Sequence, residues 1–295
     1  MNQSILVTGA AGQLGQRVIH HLLETYEVSP SKITAATRNP EKLADIAGRG
    51  VRVCKADFDD VASLESAFAG VDRLLIISTD AIDRPGVRIA QHKAAVAAAV
   101  RAGVRHLFYT SMPAPENSLV TFAPDHLGTE TAIKASGLPH TIFRNAWYMD
   151  NFLHSMPHNL QVGNWYTATG NGRIANISRE DCAIAIAAAL ASDTPESAVY
   201  TLTGSQSLTS DEIAVIGSEV SGKPLKTVQV DDEQLAAGLA GAGLPLFVVD
   251  MLVSADANTR AGNFDIVTDH FNKLTAREPQ SLESFFTQHK AALAA

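Results

Sequence analysis

Val7-Thr8-Gly9-Ala10-Ala11-Gly12-Gln13-Leu14-Gly15 stands near the start of the chain, directly after the apolar run that begins Ile5-Leu6. From there Leu14, Val18, Ile19, Leu22 and Leu23 recur at helical spacing. Strand, glycine turn, helix is the setting in which such glycines carry chemistry. Gly9 takes the tight turn, Gly12 lets a pyrophosphate approach the backbone, and Gly15 lets helix and strand pack closely. The helix N-terminus presents N–H groups and a partial positive charge to the phosphates, which makes Ala11, Gln13 and Leu14 cofactor-binding candidates beside the glycines. The spacing is G-x-x-G-x-x-G rather than G-x-G-x-x-G, and glycines alone also suit a loop with no ligand. The strand before them and the amphipathic helix after them favour the ligand.

Outward from this turn the first half alternates. Ile33 to Thr37 reads as a strand, and Asn39-Pro40 as a helix cap with proline at the first helical position. Val51 to Ala56 is a third strand, Asp60 to Ala69 a helix, and Leu74 to Ser78 a buried strand. An Ala-rich helix from Ile89 to Ala102 stops at Gly103. The strand from His106 to Thr110, a helix from about Asp125 to Ser136 and the strand from Thr141 to Arg144 complete the series. Near-continuous apolar strands separated by helices predict a Rossmann-type, doubly wound parallel sheet.

Beyond Asn145 the rhythm changes. Trp147, Tyr148, Phe152, Trp165 and Tyr166 fall close together. Gly170-Asn171-Gly172 between the Trp165 run and Ile174 to Ile177 predicts a hairpin. Arg179-Glu180-Asp181 leads into a helix, and Arg179 and Asp181 read as its cap. Val199 to Leu202 is one more strand, and Thr209-Ser210-Asp211-Glu212 is a capping-box pattern. The chain thus divides into a dinucleotide-binding domain over residues 1–145 and a smaller, mixed substrate lobe over 146–295. Some strands of the lobe can rejoin the main sheet. The lobe is expected to clasp the carboxyl edge, where ligands bind in open α/β folds.

The 295 residues, 46% hydrophobic and 18% charged, suit a globular enzyme with a full core. No apolar stretch approaches the ~20 residues of a membrane span, and the first strand follows no cleavable leader. The net charge of −8 argues against a nucleic-acid partner. Cys54 and Cys182 make no disulfide framework and read as buried thiols. The expectation is a cytoplasmic protein acting on a small molecule, as monomer or homodimer. No residues show metal-ligand spacing, and no Gly-x-Ser-x-Gly elbow is present.

An NAD site carries an acidic residue about 20 positions past the glycines, for the ribose 2′-OH. None occurs between Glu27 and Glu41; Thr37-Arg38 stand there instead, with Lys42 one helical turn on. A guanidinium can pair bidentately with a 2′-phosphate, so the residues favour NADPH over NADH, which stays possible. Asp57-Phe58 either face the adenine or form a turn leading into the next helix. Ser78, Thr110 and Asn145 lie at or just beyond strand ends, within reach of cofactor or substrate.

The glycine turn, Arg38-Asn39-Pro40-x-Lys42, and Arg144-Asn145-Ala146-Trp147-Tyr148 together resemble the NmrA-like branch of the atypical short-chain dehydrogenases. The resemblance covers essentially the whole chain, and within the branch lies nearest to the bacterial type-2 NAD(P)H:quinone oxidoreductases and the triphenylmethane reductases. Ordinary members of the superfamily use Tyr-x-x-x-Lys as their acid–base pair. Here Phe122-x-x-x-His126 falls at the corresponding place, and phenylalanine carries no proton.

The resemblance implies hydride transfer to a quinone or dye, an acceptor whose own electronics lower the barrier. Asn145, Tyr148 and His126 are the catalytic candidates; Phe122, Trp147 and Phe152 are candidates for an aromatic slot. A non-catalytic dinucleotide sensor acting on a partner protein is the alternative from another class. An epimerase or dehydratase is a third, against which the missing Tyr/Lys pair weighs.

Overall fold

The computed structural model describes residues 3–193 and 196–294. Strands and helices alternate through the first half: β1 (Ile5–Val7), α1 (Gln13–Glu24), β2 (Ile33–Thr37), α2 (Ala44–Gly48), β3 (Arg52–Lys55), α3 (Val61–Phe68), β4 (Arg73–Ile76), α4 (Val87–Ala102), β5 (His106–Ser111), α5 (Ala123–Ala135) and β6 (His140–Asn145). There follow α6 (Phe152–Val162), β7 (Asn164–Thr167), β8 (Arg173–Ile174), α7 (Arg179–Ala191), β9 (Ala198–Leu202), β10 (Leu208–Thr209), α8 (Ser210–Ser221), β11 (Lys226–Gln229), α9 (Asp232–Gly241) and α10 (Leu246–Arg260). Short helices α11 (His270–Thr275), α12 (Leu282–Gln288) and α13 (Lys290–Ala294) end the described chain.

Seven strands form one sheet in the order β3-β2-β1-β4-β5-β6-β9. Parallel registers such as Ile5↔Ile33 on one side of β1 and Ile5↔Arg73 on the other fix its centre. The order is that of a doubly wound fold, with its reversal between β1 and β4; ligands bind beyond the carboxyl ends of strands at such a point. Every residue of β1, β2, β4 and β5 is buried. That explains continuous apolar runs instead of alternation, because helices cover both faces.

The chain separates into two compact units that interleave in sequence. One comprises Met1–Ser111, Asp125–Arg144 and Glu180–Tyr200; the other comprises Met112–Pro124, Asn145–Arg179 and Thr201–Ala295. In the first, Leu6, Leu64, Phe68, Leu74, Leu107 and Ile142 belong to a cluster between sheet and helices. Each such side chain contributes about 1.5–3 kcal/mol on burial. From Asp181 to its end α7 is buried on all sides, and its six alanines there permit that. Its last carbonyls meet a buried cation: Arg73 donates from Nη1 to Leu190 O at 2.7 Å. A guanidinium at a helix C-terminus satisfies orphan carbonyls and opposes the helix dipole.

The second unit packs Met149, Met156, Leu160, Ile213, Phe285 and Phe286 together. The expected hairpin across Gly170-Asn171-Gly172 does not form. Instead β7 pairs in parallel with β11, and β8 pairs antiparallel with β10. The turn is real, since Gly172 N–H donates to Thr169 O, but local turn chemistry does not choose a partner strand. The capping box at Thr209 is present: its hydroxyl accepts from Glu212 N–H and the Glu212 carboxylate accepts from Thr209 N–H. Asn39 does not cap by its side chain, and Pro40–Leu43 is a 3-10 turn, with α2 starting only at Ala44. Both cysteines are free thiols, Cys182 buried as expected but Cys54 only half-buried. Among the described residues, no helix is long and apolar enough to cross a membrane.

Candidate active site

Gly9 leaves β1 with φ +61°, a conformation that favours glycine. Gly12 N–H donates back to Gly9 O at 2.9 Å, closing the turn, and Ala10 N–H donates to Ala36 O at 3.0 Å. A Cβ on Gly12 would lie 3.2 Å from Gly9 O. At Gly12 the backbone folds so closely on itself that a side chain would crowd the Gly9 carbonyl. The N-cap of α1 is Gly12, which has no side chain to cap it, and no acidic residue lies in the helix's first turn. A helix N-terminus left in that state is a site for an anion.

In front of this turn is a cleft of about 340 Å³ within the first unit. Of the residues predicted to hold the cofactor, Gly9, Ala11, Gly12, Arg38, Lys42, Asp57, Phe58 and Ser78 line it. Gln13, Leu14, Gly15 and Thr110 do not. Leu14 and Gly15 are buried in packing, Gln13 begins α1, and Thr110 stands behind Ser78, whose N–H donates to its hydroxyl at 2.9 Å. Thr8, wholly buried, ties β1 to β4: its hydroxyl donates to Leu75 O and accepts from Ile77 N–H, both at 3.0 Å.

The charged groups of the cleft are Arg38, Lys42, Asp57, Asp80 and Arg84. Arg38 reaches Asp80 at 3.9 Å, but the two side chains are 63% and 87% exposed. Such a screened pair leaves Arg38 available to a stronger anion. Asp57 serves its turn, accepting from Asp59 N–H at 3.1 Å, and lines the cleft as well. Sequence reasoning missed Thr79, Asp80, Arg84 and Gln91, which also line it. Thr79 and Asp80 follow a strand at the reversal of the sheet, which was a usable signal; Gln91 lies mid-helix and offered none.

His126 faces inward, contrary to its expected place at the ligand. It is buried, Arg88 donates from Nη2 to its Nε2 at 3.0 Å, and its Nδ1 is 2.8 Å from Tyr109 Oη. Arginine only donates, so Nε2 is the acceptor and the proton sits on Nδ1. Burial, aided by Arg88 and His92, holds the pKa of His126 well below the ordinary range. Burial likewise pushes the Tyr109 phenol up. His92 is pushed down to about 3 by burial and by Arg88. These groups hold their protons fixed at neutral pH.

In the second unit, Phe122 and Trp147 stack with ring centroids 6.5 Å apart and planes 6° from parallel. The Trp147 carbonyl is fixed by Asn176 Nδ2 at 3.0 Å and Ile177 N–H at 3.2 Å. Phe152 does not join them; as the first residue of α6 it turns into the core between Trp165 and Phe286. Asn145 is buried, donates from Nδ2 to Tyr148 Oη at 3.0 Å, and its Oδ1 has no hydrogen-bond partner among the described residues. The Arg179 guanidinium lies 4.7 Å above the Tyr148 ring. Arg179 is itself held by Asp150, which accepts from its backbone N–H at 2.8 Å. Among the described residues no cluster of histidine, cysteine and carboxylates stands ready for a metal.

The glycine cradle, the open helix N-terminus and the cations beyond β2 fit a phosphorylated dinucleotide. The comparisons agree. Quinone oxidoreductase 2 of Escherichia coli (strain K12) is 38% identical over 262 residues, 88% of this chain and 90% of that protein. The structure of Citrobacter sp. triphenylmethane reductase complexed with NADP(H) superposes with a TM-score of 0.91 at 36% identity, covering 97% of this chain and 100% of that one. The Escherichia coli NADPH-dependent quinone oxidoreductase complexed with NADPH gives 0.91 at 35% identity, covering 97% and 99%. The model of the NmrA-like family matches residues 1–286, and the chain belongs to that family.

Proposed function

We propose that this protein transfers hydride from NADPH to a quinone or a similarly flat, electron-poor acceptor. It is an oxidoreductase using NADPH, in keeping with its relatives: one is a named quinone oxidoreductase, and the two solved structures hold NADPH and NADP(H). The acceptor is the further step.

The observation that carries it is Phe122-x-x-x-His126 where an acid–base pair would stand. Phe122 has no proton, and His126 is a buried neutral imidazole bonded to Arg88 and Tyr109. A ketone needs a positioned acid in the transition state, worth roughly 10²–10⁴-fold. A quinone does not, because the charge that develops is delocalised over its own ring and oxygens.

When bound, the nicotinamide supplies the hydride. The chain's part is to hold and shield. The turn from Gly9 to Gly15 would take the pyrophosphate, Arg38 and Lys42 the 2′-phosphate, and Asp57-Phe58 the adenine end. Asn145 holds Tyr148 in place by donating to its phenol oxygen. The stacked Phe122 and Trp147 offer flat apolar surface, and each such ring pair contributes ~1 kcal/mol beyond its burial.

The test compares NADPH oxidation with a benzoquinone and with a simple aliphatic ketone. Turnover on the quinone alone is expected; equal rates on the ketone would contradict the reading.

A further inference from the structure

The two loops that face each other across the cleft are joined by one side chain. Gln91, on α4 and 7% exposed, donates from Nε2 to Asp59 Oδ1 at 2.8 Å, and its Oε1 accepts from the Thr79 hydroxyl at 2.8 Å. Asp59 belongs to the loop after β3, next to Phe58, which lines the cleft. Thr79 belongs to the loop after β4 and lines it too. The amide orientation is set by chemistry, since a carboxylate only accepts and the atom facing it must be the nitrogen.

The Thr79 end of this link is anchored three times. Its N–H donates to His92 Nε2 at 3.0 Å and its carbonyl accepts from Arg88 Nε at 2.8 Å. Residues 88, 91 and 92 share one face of α4, being three and four apart. That face therefore holds every polar group of Thr79, while only Gln91 extends to Asp59. The wall after β4 is fixed by three side chains; the wall after β3 is shaped by its own turn, in which Asp57 N–H donates to Ser63 Oγ at 2.9 Å, and is tied to the other wall through Gln91.

We propose that Gln91 is a positioning residue of the cofactor cleft. It sets the separation of the two walls and so tunes affinity for the adenosine end common to NADPH and NADH, separately from the 2′-phosphate recognition assigned to Arg38. The inference rests on the cofactor reading of the cleft.

The link has a polarity, and polarity is what the experiment exploits. Gln91→Glu keeps an acceptor for Thr79 but sets a carboxylate against Asp59. It is expected to raise the Kd of NADPH and of NADH by the same factor, about tenfold, the scale of one charge-assisted hydrogen bond, with kcat at saturating cofactor unchanged. Asp59→Asn alone keeps an acceptor oxygen and is expected to stay within about twofold, far below the effect of a lost charged bond. In the double variant Gln91→Glu with Asp59→Asn the new amide donates to the new carboxylate. Net charge equals that of the parent, and both Kd values are expected to return.

A role in packing alone would lower the melting temperature without that rescue. An unchanged Kd in Gln91→Glu, a loss confined to NADPH, or a double variant no better than the single one would overturn the proposal. Should Gln91→Glu fail to fold, Gln91→Ala carries the same expectation of a common loss. If the parent itself does not bind NADPH, the cofactor reading fails; if it binds and Gln91→Glu binds equally, only this inference does.

Discussion

Gly15 lies so close to Gly9 that a Cβ added to Gly15 would stand 2.4 Å from the Gly9 carbonyl oxygen and 2.9 Å from Ala10 Cα. Both neighbours are backbone, so neither can turn aside. Gly15→Ala must therefore lift α1 away from the turn that Gly9 and Gly12 make. The expected cost is about 3 kcal/mol of stability, the upper range for overpacking, with loss of NADPH binding. Urea unfolding and a cofactor titration check it, and a stability within about 0.5 kcal/mol of the parent, the ordinary range for a surface change, would contradict it.

Arg38→Ala removes the guanidinium at the rim while leaving the glycine turn intact. NADPH affinity is expected to fall by ~1.5–3 kcal/mol, the range of a hydrogen bond to a charged group, with NADH nearly unaffected. Equal losses for both cofactors, measured by titration, would remove Arg38 from the 2′-phosphate.

Glu130 is wholly buried, accepting from Arg144 Nε and Nη2 at 2.9 and 2.7 Å and from the Ser111 hydroxyl at 2.7 Å. It ties α5 to the ends of β5 and β6, just before Asn145 in the chain. Glu130→Ala leaves the Arg144 charge without its carboxylate and is expected to cost ~3–5 kcal/mol. Chemical denaturation reads this, and a loss under about 1 kcal/mol, as for an exposed pair, would show that the pair is not held in the interior.

Much of the cleft was legible because its chemistry is local. The glycines of the turn answer to backbone geometry within one loop. Arg38 and Lys42 follow β2 by one and five residues, and the missing acid there is visible in one line of sequence. The sheet was legible for the same reason, since buried parallel strands read as apolar runs. What sequence hid was pairing at a distance. Gln91 meets Asp59 and Thr79 through a helix packed on the sheet, and nothing in its own neighbourhood marks it. The pairing of β7 with β11 was hidden by a nearer signal, the turn at Gly170-Asn171-Gly172. His126 was placed at the ligand by alignment, but its inward orientation depends on Arg88, which the sequence does not connect to it.

Acid stability follows in part from the buried imidazoles, His106 and His92 together with His126. Burial, with Arg73 and His140 adding, pushes His106 down to about 4, and His92 lies at about 3. Both are lowered in the folded protein, so above pH 6.5 neither affects stability. Below it the unfolded chain takes up protons that the folded chain refuses, and stability falls. For His106 the loss is about 3 kcal/mol between pH 6.5 and 4, and His92 extends the loss toward pH 3. His106→Gln keeps a partner for the Thr141 hydroxyl, which lies 2.8 Å from His106 Nε2, and does not titrate. Its unfolding free energy should depend less steeply on pH across that window; an unchanged slope would contradict the assignment.

The most direct measurement is the steady-state loss of NADPH absorbance with and without a benzoquinone, beside the same pair of assays with NADH. Oxidation that depends on the quinone and favours NADPH is the predicted result. Tight binding of NADPH with no quinone-dependent oxidation would contradict the account, and would point to a protein that senses the dinucleotide instead of spending it.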